Sequence, residues 1–445
     1  MIRHFAWVVS SRGRGRRFED VLRRLALFRL ARLVRLVVAA IALALTLGLG
    51  AGTARADGDR VVELYTIGEG PYLYARYGHS LLCVMGAATV VPGANEKSAR
   101  LAKDVVGDCY DFGVPRADVA DGMFWHSYRG KPIFITAKIP LQVVLDTFRG
   151  QDRTIERQRL PLSPEEAKRL IEAVEGSAAR GDAYAYHPAT ANCATRVRDV
   201  LNEASGDRLR RDATPTKEAT LRELMEQGLA GHPLELGAVE LTSGVANERY
   251  PSTWEAQMLP FKLRDAVADR FGVKPVTVHE RVEYRLDRSV AAGRVLFVLL
   301  GLLLWGAVGL SRRDPSGKAL GLTLKAIGVF LGGLALTVDV VALTCTYVET
   351  HKNWVLLALL PTDLALGWLT PRVRVLYTRG RIALLALLML LEVVGVIPQV
   401  LLPIALMAML AMIGALRASS GGPRTAAELP KAGPTKGEPA KVSAT

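Results

Sequence analysis

Two residues carry the most evident chemistry in this 445-residue chain: Cys193 in "YAYHPATANCATRVRDVLNEASG" (184–206) and His79 in "RYGHSLLCVM". A thiolate attacks acyl carbonyls, and an imidazole can take and return the proton that such an attack requires. Asn192 is a good helix N-cap, which makes Cys193 the first helical residue. Cys193, Val197, Val200, Leu201 and Ala204 then share one apolar face, with Arg196, Arg198 and Asp199 elsewhere on the circumference. Gly206 suits the C-terminal stop. The sulfur is thus expected to face the protein at the positive end of a helix dipole, where negative charge is favoured. Geometry alone leaves three readings open: a small buried cysteine, half of a disulfide, or a nucleophile.

The elements around these residues narrow the choice. "RVVELYTI", "HSLLCVM", "DCYDFG" and "PIFITAKIP" read as strands, rich in β-branched and aromatic residues. "SPEEAKRLIEAVEGSAARG" starts a helix, with a serine cap, proline in the first turn and acids behind it. Cys83 and Cys109 lie in two strands joined by a loop of about two dozen residues and can pair as neighbours. Cys345 falls in an apolar segment, as an inert residue. That leaves Cys193 as the odd thiol of the polar region. Among the histidines, His79 stands at the mouth of a strand directly after a glycine. His187 is close to Cys193 in sequence but precedes Pro188 and reads first as a loop residue. His126, His232 and His279 read as surface or packing residues.

The chain as a whole points to export and a membrane. Its net charge of +14 is concentrated: residues 1–56 hold eleven arginines against Glu19 and Asp20. An apolar run and an Ala54-Arg55-Ala56 cleavage signal follow, which reads as a signal peptide cut after Ala56, with an uncleaved anchor as the alternative. Nothing in this arrangement calls for nucleic acid. Residues 57–290 are polar and mixed. Apolar segments follow at 291–310, 319–348, 354–370 and 382–416, the last too long for one crossing of about 20 residues and divisible at Pro398 and Pro403. Basic residues in "SRRDPSGK", "PRVRVLYTRGR" and the tail 417–445 place those segments in the cytoplasm, while "ETHKN" faces outside. Five spans satisfy this; four would leave the tail outside. The tail has a disordered composition. Asp339, Asp363 and Glu392, in or near the spans, and His351 at the outer surface are the ionisable residues to account for.

Taken together, "TIGEG…YGHSLLCV", "CYDFG", "LPLSPEEAKRL", "YAYHPATANCATRVRDVL" and "STWEAQMLPFKLRDAV" resemble the periplasmic domain of the lipoprotein N-acyltransferase family called Lnb, over roughly residues 60–270. "GHS" and "NCATR" are the most specific parts. "ETHKNWVLLALLP" is similar, more loosely, to a motif opening a span in the membrane portion of such proteins. The resemblance implies an α+β fold: a circularly permuted papain-like cysteine domain, of the NlpC and lecithin:retinol acyltransferase group, fused to an α-helical membrane domain of about five spans. It implies Cys193 as nucleophile, His79 as base and an orienting polar group from a neighbouring strand, for which Asp111 of "CYDFG" is the candidate. Ala191 departs from the family, which often has an acid there. Backbone N–H groups of Cys193 or Ala194 would hold an oxyanion. A phospholipid or lipoprotein would donate the acyl group and a lipoprotein N-terminus would accept it, at the outer face of the bacterial inner membrane, with no cofactor and no metal. A membrane-tethered cysteine peptidase or amidase acting on cell-wall peptides is the competing expectation, and a non-catalytic sensor or scaffold a third.

Overall fold

The computed structural model describes residues 60–72, 75–86, 106–117, 122–130, 132–210, 214–282 and 289–420. The expected signal peptide (1–56) and residues 421–445 of the tail lie outside the described residues.

The polar region is built on one seven-stranded sheet with every neighbouring pair antiparallel: β1 (Arg60–Ile67), β2 (His79–Gly86), β3 (Gly107–Pro115), β4 (Ile133–Pro140), β5 (Ile155–Arg159), β6 (Ala183–Ala185) and β7 (Val276–His279). Their order across the sheet is β6-β4-β3-β2-β1-β5-β7. Successive side chains on a strand point to opposite faces, and both faces here are covered. Val62, Leu64, Leu82, Val84, Tyr110 and Phe112 pack under α3 (Pro164–Arg180), α4 (Cys193–Ala204) and α7 (Pro260–Phe271). Tyr65, Leu81, Cys83 and Cys109 face α2 (Leu141–Gly150) on the other side. The register sets Cys83 directly opposite Cys109, and the two form a disulfide. Ser163 caps α3 in a reciprocal box with Glu166, and Pro164 opens it, as its sequence indicates.

Two shorter helices, α5 (Leu221–Gln227) and α6 (Pro233–Thr242), lead from this layer to the apolar part. There, α8 (Ala291–Ser311), α9 (Lys318–Thr344) and α11 (Leu402–Ser420) are long and apolar enough to cross a membrane. α10 (Pro371–Val393) packs beside α11; α1 (Met123–Tyr128) is a short helix whose Tyr128 hydroxyl bonds Thr344 at the end of α9.

Three expectations need correction. Residues 354–370 do not form a continuous helix. They make one helical turn at Val355–Ala358 and a 3₁₀ stretch at Pro361–Gly367, packed along α9. Secondly, "PRVRVLYTRGR" is not a loop but the first three turns of α10. The two departures share a cause. A broken segment leaves carbonyls without intrahelical donors, which an apolar setting does not tolerate. Arg374 donates to Leu366 O (2.9 Å) and Leu369 O (2.6 Å), and Arg381 donates to Ala358 O (2.8 Å). Arg381 also forms a two-pronged ion pair with buried Asp363 at 2.9 Å on each arm, joined by Tyr377 Oη at 2.5 Å. Asp363 is thus a structural partner. Thirdly, the break in 382–416 falls at 394–401, which contains Pro398, whereas Pro403 sits inside the first turn of α11. Residues 417–420 continue that helix.

The apolar part is joined to the sheet domain by buried charge. Arg222 on α5, 1 % exposed, donates to Glu248 (2.6 Å), Glu240 (3.3 Å) and Ser243 O (3.3 Å). Arg294 in the first turn of α8 donates to Glu240 (2.7 Å) and Glu226 (3.2 Å). Three carboxylates thus face two guanidinium groups. Burial, and then the charge of Glu240, push Glu226 up to about 7 from its usual 4.5. An acid whose folded pKa is raised binds its proton more tightly in the folded state, so stability falls as pH climbs from about 4.5 to about 7. Glu226→Gln is expected to flatten that slope and to raise the melting temperature at pH 8. Thermal unfolding of the full chain across pH 4–8 checks it; a slope identical to that of the unaltered protein contradicts it.

Candidate active site

Cys193 stands where expected, at the first position of α4, on a helix that packs against β2 and β3. Asn192 fixes the entry. Its Oδ1 accepts from Thr195 N (2.9 Å), and its amide donates to Pro188 O (2.6 Å) and Met258 O (3.0 Å). Thr195 Oγ1 accepts in turn from Asn192 N (2.8 Å). This reciprocal cap uses the third N–H of the helix and leaves those of Cys193 and Ala194 without an intrahelical acceptor. The helix stops at Ala204, ahead of Gly206 at φ +66°. The buried face differs from the sequence reading: Cys193 and Val200 are only half-buried, while Ala194, Thr195, Asn202 and Arg198 are buried. Arg198 is buried (6 % exposed), with its guanidinium over the Trp254 ring at 3.7 Å and donating to Trp254 O (2.8 Å). An aromatic partner more than 50 residues away is invisible to helical periodicity.

His79 is the first residue of β2. Gly78 before it has φ +82°, and a Cβ there would lie 2.6 Å from Ile67 O, so the turn into the strand needs glycine. His79 Nε2 lies 2.9 Å from Asp111 Oδ1, and its ring lies within electrostatic reach of Cys193. With Nε2 committed to Asp111, Nδ1 is the ring nitrogen left to serve the sulfur. Asp111 lies on β3 just before a register shift, and its Oδ1 accepts a second bond from Gly113 N (2.6 Å). Gly113 is a member of the site that the sequence did not single out. A Cβ there would lie 2.5 Å from His79 Cε1, so only glycine lets the ring reach Asp111.

The electrostatics follow from these contacts. Burial alone would lower the His79 pKa, but the charge of Asp111, and then that of Cys193, outweigh it and push it up to about 10. Burial would raise the Asp111 carboxyl; the facing His79 and the Gly113 N–H hold it below the usual carboxylate range. His79 is therefore an imidazolium through neutral pH. The stability it contributes is fully present below about pH 6.5 and is lost as pH rises through about 10.

Tyr184 and Tyr186 complete the surroundings. Burial, and next the charge of Cys193, raise both phenols well above their usual range. Tyr184 Oη donates to Phe112 O (2.6 Å), and Tyr186 stacks on Phe134 at 4.5 Å. The alternating "YAY" before Cys193 was the available signal. His187 does what its loop position implied: Nδ1 accepts from Ala189 N (3.2 Å) and Thr190 N (3.3 Å). Its ring also meets Tyr347 edge-on at 5.0 Å, and Nε2 stands 3.6 Å from Glu349 Oε2. Tyr347 and Glu349 belong to the segment between α9 and the broken stretch, so the apolar part touches the loop leading to Cys193. His126, His232 and His279 lie elsewhere: on α1, beside Arg76, and on β7 near Asp152. His351 bonds Cys345 O (2.9 Å). No metal-binding group of three or more His, Cys, Asp or Glu exists among the described residues. A cleft of about 850 Å³ opens beside Tyr77 and Gly78, but none of Cys193, His79 and Asp111 lines it.

An imidazole paired with a carboxylate thus stands on the two strands covered by the helix that Cys193 opens. Residues 51–227 match the family model of the Lnb N-terminal periplasmic domain. The chain carries a domain of the Lnb family, as the sequence resemblance implied, and with three helices long and apolar enough to cross a membrane it is a membrane protein. The match ends at Gln227, so "STWEAQMLPFKLRDAV" lies beyond it. No curated protein and no solved structure matches the chain.

Proposed function

We propose that the chain is a membrane-bound cysteine acyltransferase that carries a fatty acyl group as a thioester on Cys193 and passes it to the N-terminus of a lipoprotein, at the periplasmic face of the inner membrane. The observation that carries this reading is the His79–Asp111 pair on the strands beneath the helix that Cys193 opens. The order of His79 strand before Cys193 helix agrees with a circularly permuted papain-like domain spanning 57–290. Contact of Tyr347 with His187 favours a donor that arrives from the bilayer. In this reading the five crossings are α8, α9, the broken segment, α10 and α11.

In the first half-reaction the Cys193 thiolate attacks an ester carbonyl of a phospholipid or lipoprotein donor. The C–S bond forms, the ester C–O bond breaks, and the leaving alkoxide takes the proton of His79. Negative charge on the carbonyl oxygen is stabilised by the N–H groups of Cys193 and Ala194. In the second, the acceptor amine attacks the thioester. The C–N bond forms, the C–S bond breaks, neutral His79 takes the amine proton, and the thiolate–imidazolium pair returns. Asp111 keeps the ring oriented throughout.

Purified protein given phospholipid and a diacylated lipoprotein should yield an N-acylated product. No product, together with cleavage of cell-wall peptides that survives removal of residues 291–445, would replace this reading with a peptidase or amidase.

A further inference from the structure

We infer that a second, separate pocket formed by Asn247, Tyr347 and Glu349 binds the free α-ammonium group of the acceptor. This rests on the proposed acyl transfer for its identity, but the pocket stands on its own geometry. A cavity of about 120 Å³ lies between α5, α6 and the Tyr347–Thr350 segment, and His187, Pro188 and Ala189 of the loop leading to Cys193 form another part of its wall. Leu221, Met225 and Val239 contribute apolar sides.

Two buried polar atoms of lining residues, Asn247 Oδ1 and Tyr347 Oη, make no hydrogen bond, and beside them Glu349 Oε2 has only His187 Nε2, at 3.6 Å. Unbonded buried polar atoms are uncommon because each forfeits its hydration, about 1–3 kcal/mol. Finding two beside a carboxylate in one small cavity calls for a ligand that bonds all three groups together. Their chemistry defines it. An amide carbonyl and a carboxylate only accept, and a phenol oxygen can do so. A primary ammonium offers three N–H donors and one positive charge.

The pocket is rigidly made. Asn247 is 2 % exposed, and its amide donates to Glu349 O (3.1 Å), which fixes Oδ1 as the free end. Gly244 N donates to the same carbonyl (2.6 Å), and a Cβ on Gly244 would collide with His351 O, so the two turns meet only because glycine is there. His187 accepts backbone bonds at Nδ1, which leaves Nε2–H directed at Glu349. That contact, first among its causes, holds the Glu349 carboxyl below its usual range, so the pocket is anionic at neutral pH. The wall residues His187, Pro188 and Ala189 belong to the loop that runs into α4, which opens at Cys193. A bound ammonium sheds one proton to water before its nitrogen attacks the thioester.

The test uses the full chain in lipid nanodiscs with Cys193→Ala, so that nothing reacts. The probes are a synthetic S-diacylglyceryl-cysteinyl peptide with a free α-amine and its N-acetylated twin. The free amine should bind at least tenfold more tightly. Tyr347→Phe removes one oxygen that bonds nothing, so it should fold normally and reduce the preference three- to tenfold; Glu349→Gln should abolish it. Equal binding of the two probes, as expected of a cavity that only holds water, would overturn the inference, as would a preference untouched by both substitutions. Acyl transfer is scored separately in the protein with Cys193. An amine preference without any acyl adduct sinks the proposed function alone, and an adduct without an amine preference sinks this inference alone.

Discussion

Cys193→Ala is expected to reduce formation of N-acylated product by at least about a thousandfold while leaving the fold intact. Loss of a covalent nucleophile removes the whole two-step route, and what remains is the small rate that binding and oxyanion stabilisation supply. The fold should survive because Cys193 is only half-buried and the helix start is secured by Asn192 and Thr195, not by sulfur. Product formation, measured with enzyme of confirmed melting temperature, checks both halves. Product from Cys193→Ala equal to that from unaltered protein would remove the thiol from the mechanism.

The second large effect is on stability. Arg222→Leu is expected to cost about 3–5 kcal/mol, because it leaves Glu240 and Glu248 facing each other in a buried setting without their counter-charge. Arg294 still faces Glu240, but nothing replaces the Arg222 bonds to Glu248 and Ser243 O. Ser243 O also accepts from Gln399 (2.8 Å) in the turn between α10 and α11, so the damage should reach the apolar part. Neutralising the stranded acids in Arg222→Leu/Glu240→Gln/Glu248→Gln should recover much of the loss. Thermal unfolding of the full chain in detergent measures both. A single substitution within about 0.5 kcal/mol of the unaltered protein would show that the cluster does not carry the junction.

The sheet and the helix of Cys193 were legible because they rest on local patterns. The strand-forming composition of β1 and β2, the Ser163 cap and Asn192 before Cys193 all act within a few residues. The disulfide was legible as a possibility, and became definite only with the register that sets Cys83 against Cys109. What escaped depends on contacts distant in sequence. Gly113 matters through the ring of His79, Arg198 through Trp254, and Glu349 through Asn247 and His187. The apolar segment 354–370 misled for a related reason. Its composition suits a helix, but its broken backbone is sustained by Arg374 and Arg381 of the following helix. Those arginines in turn read as a cytoplasmic loop until their acceptors were known.

The central claim is that Cys193 carries an acyl group, and intact mass analysis of the full chain after exposure to phospholipid tests it most directly. The account predicts a mass gain equal to one fatty acyl chain, located on Cys193, removed by neutral hydroxylamine and absent from Cys193→Ala. An unchanged mass under conditions that yield N-acylated lipoprotein, or an adduct that forms equally on Cys193→Ala, would contradict it.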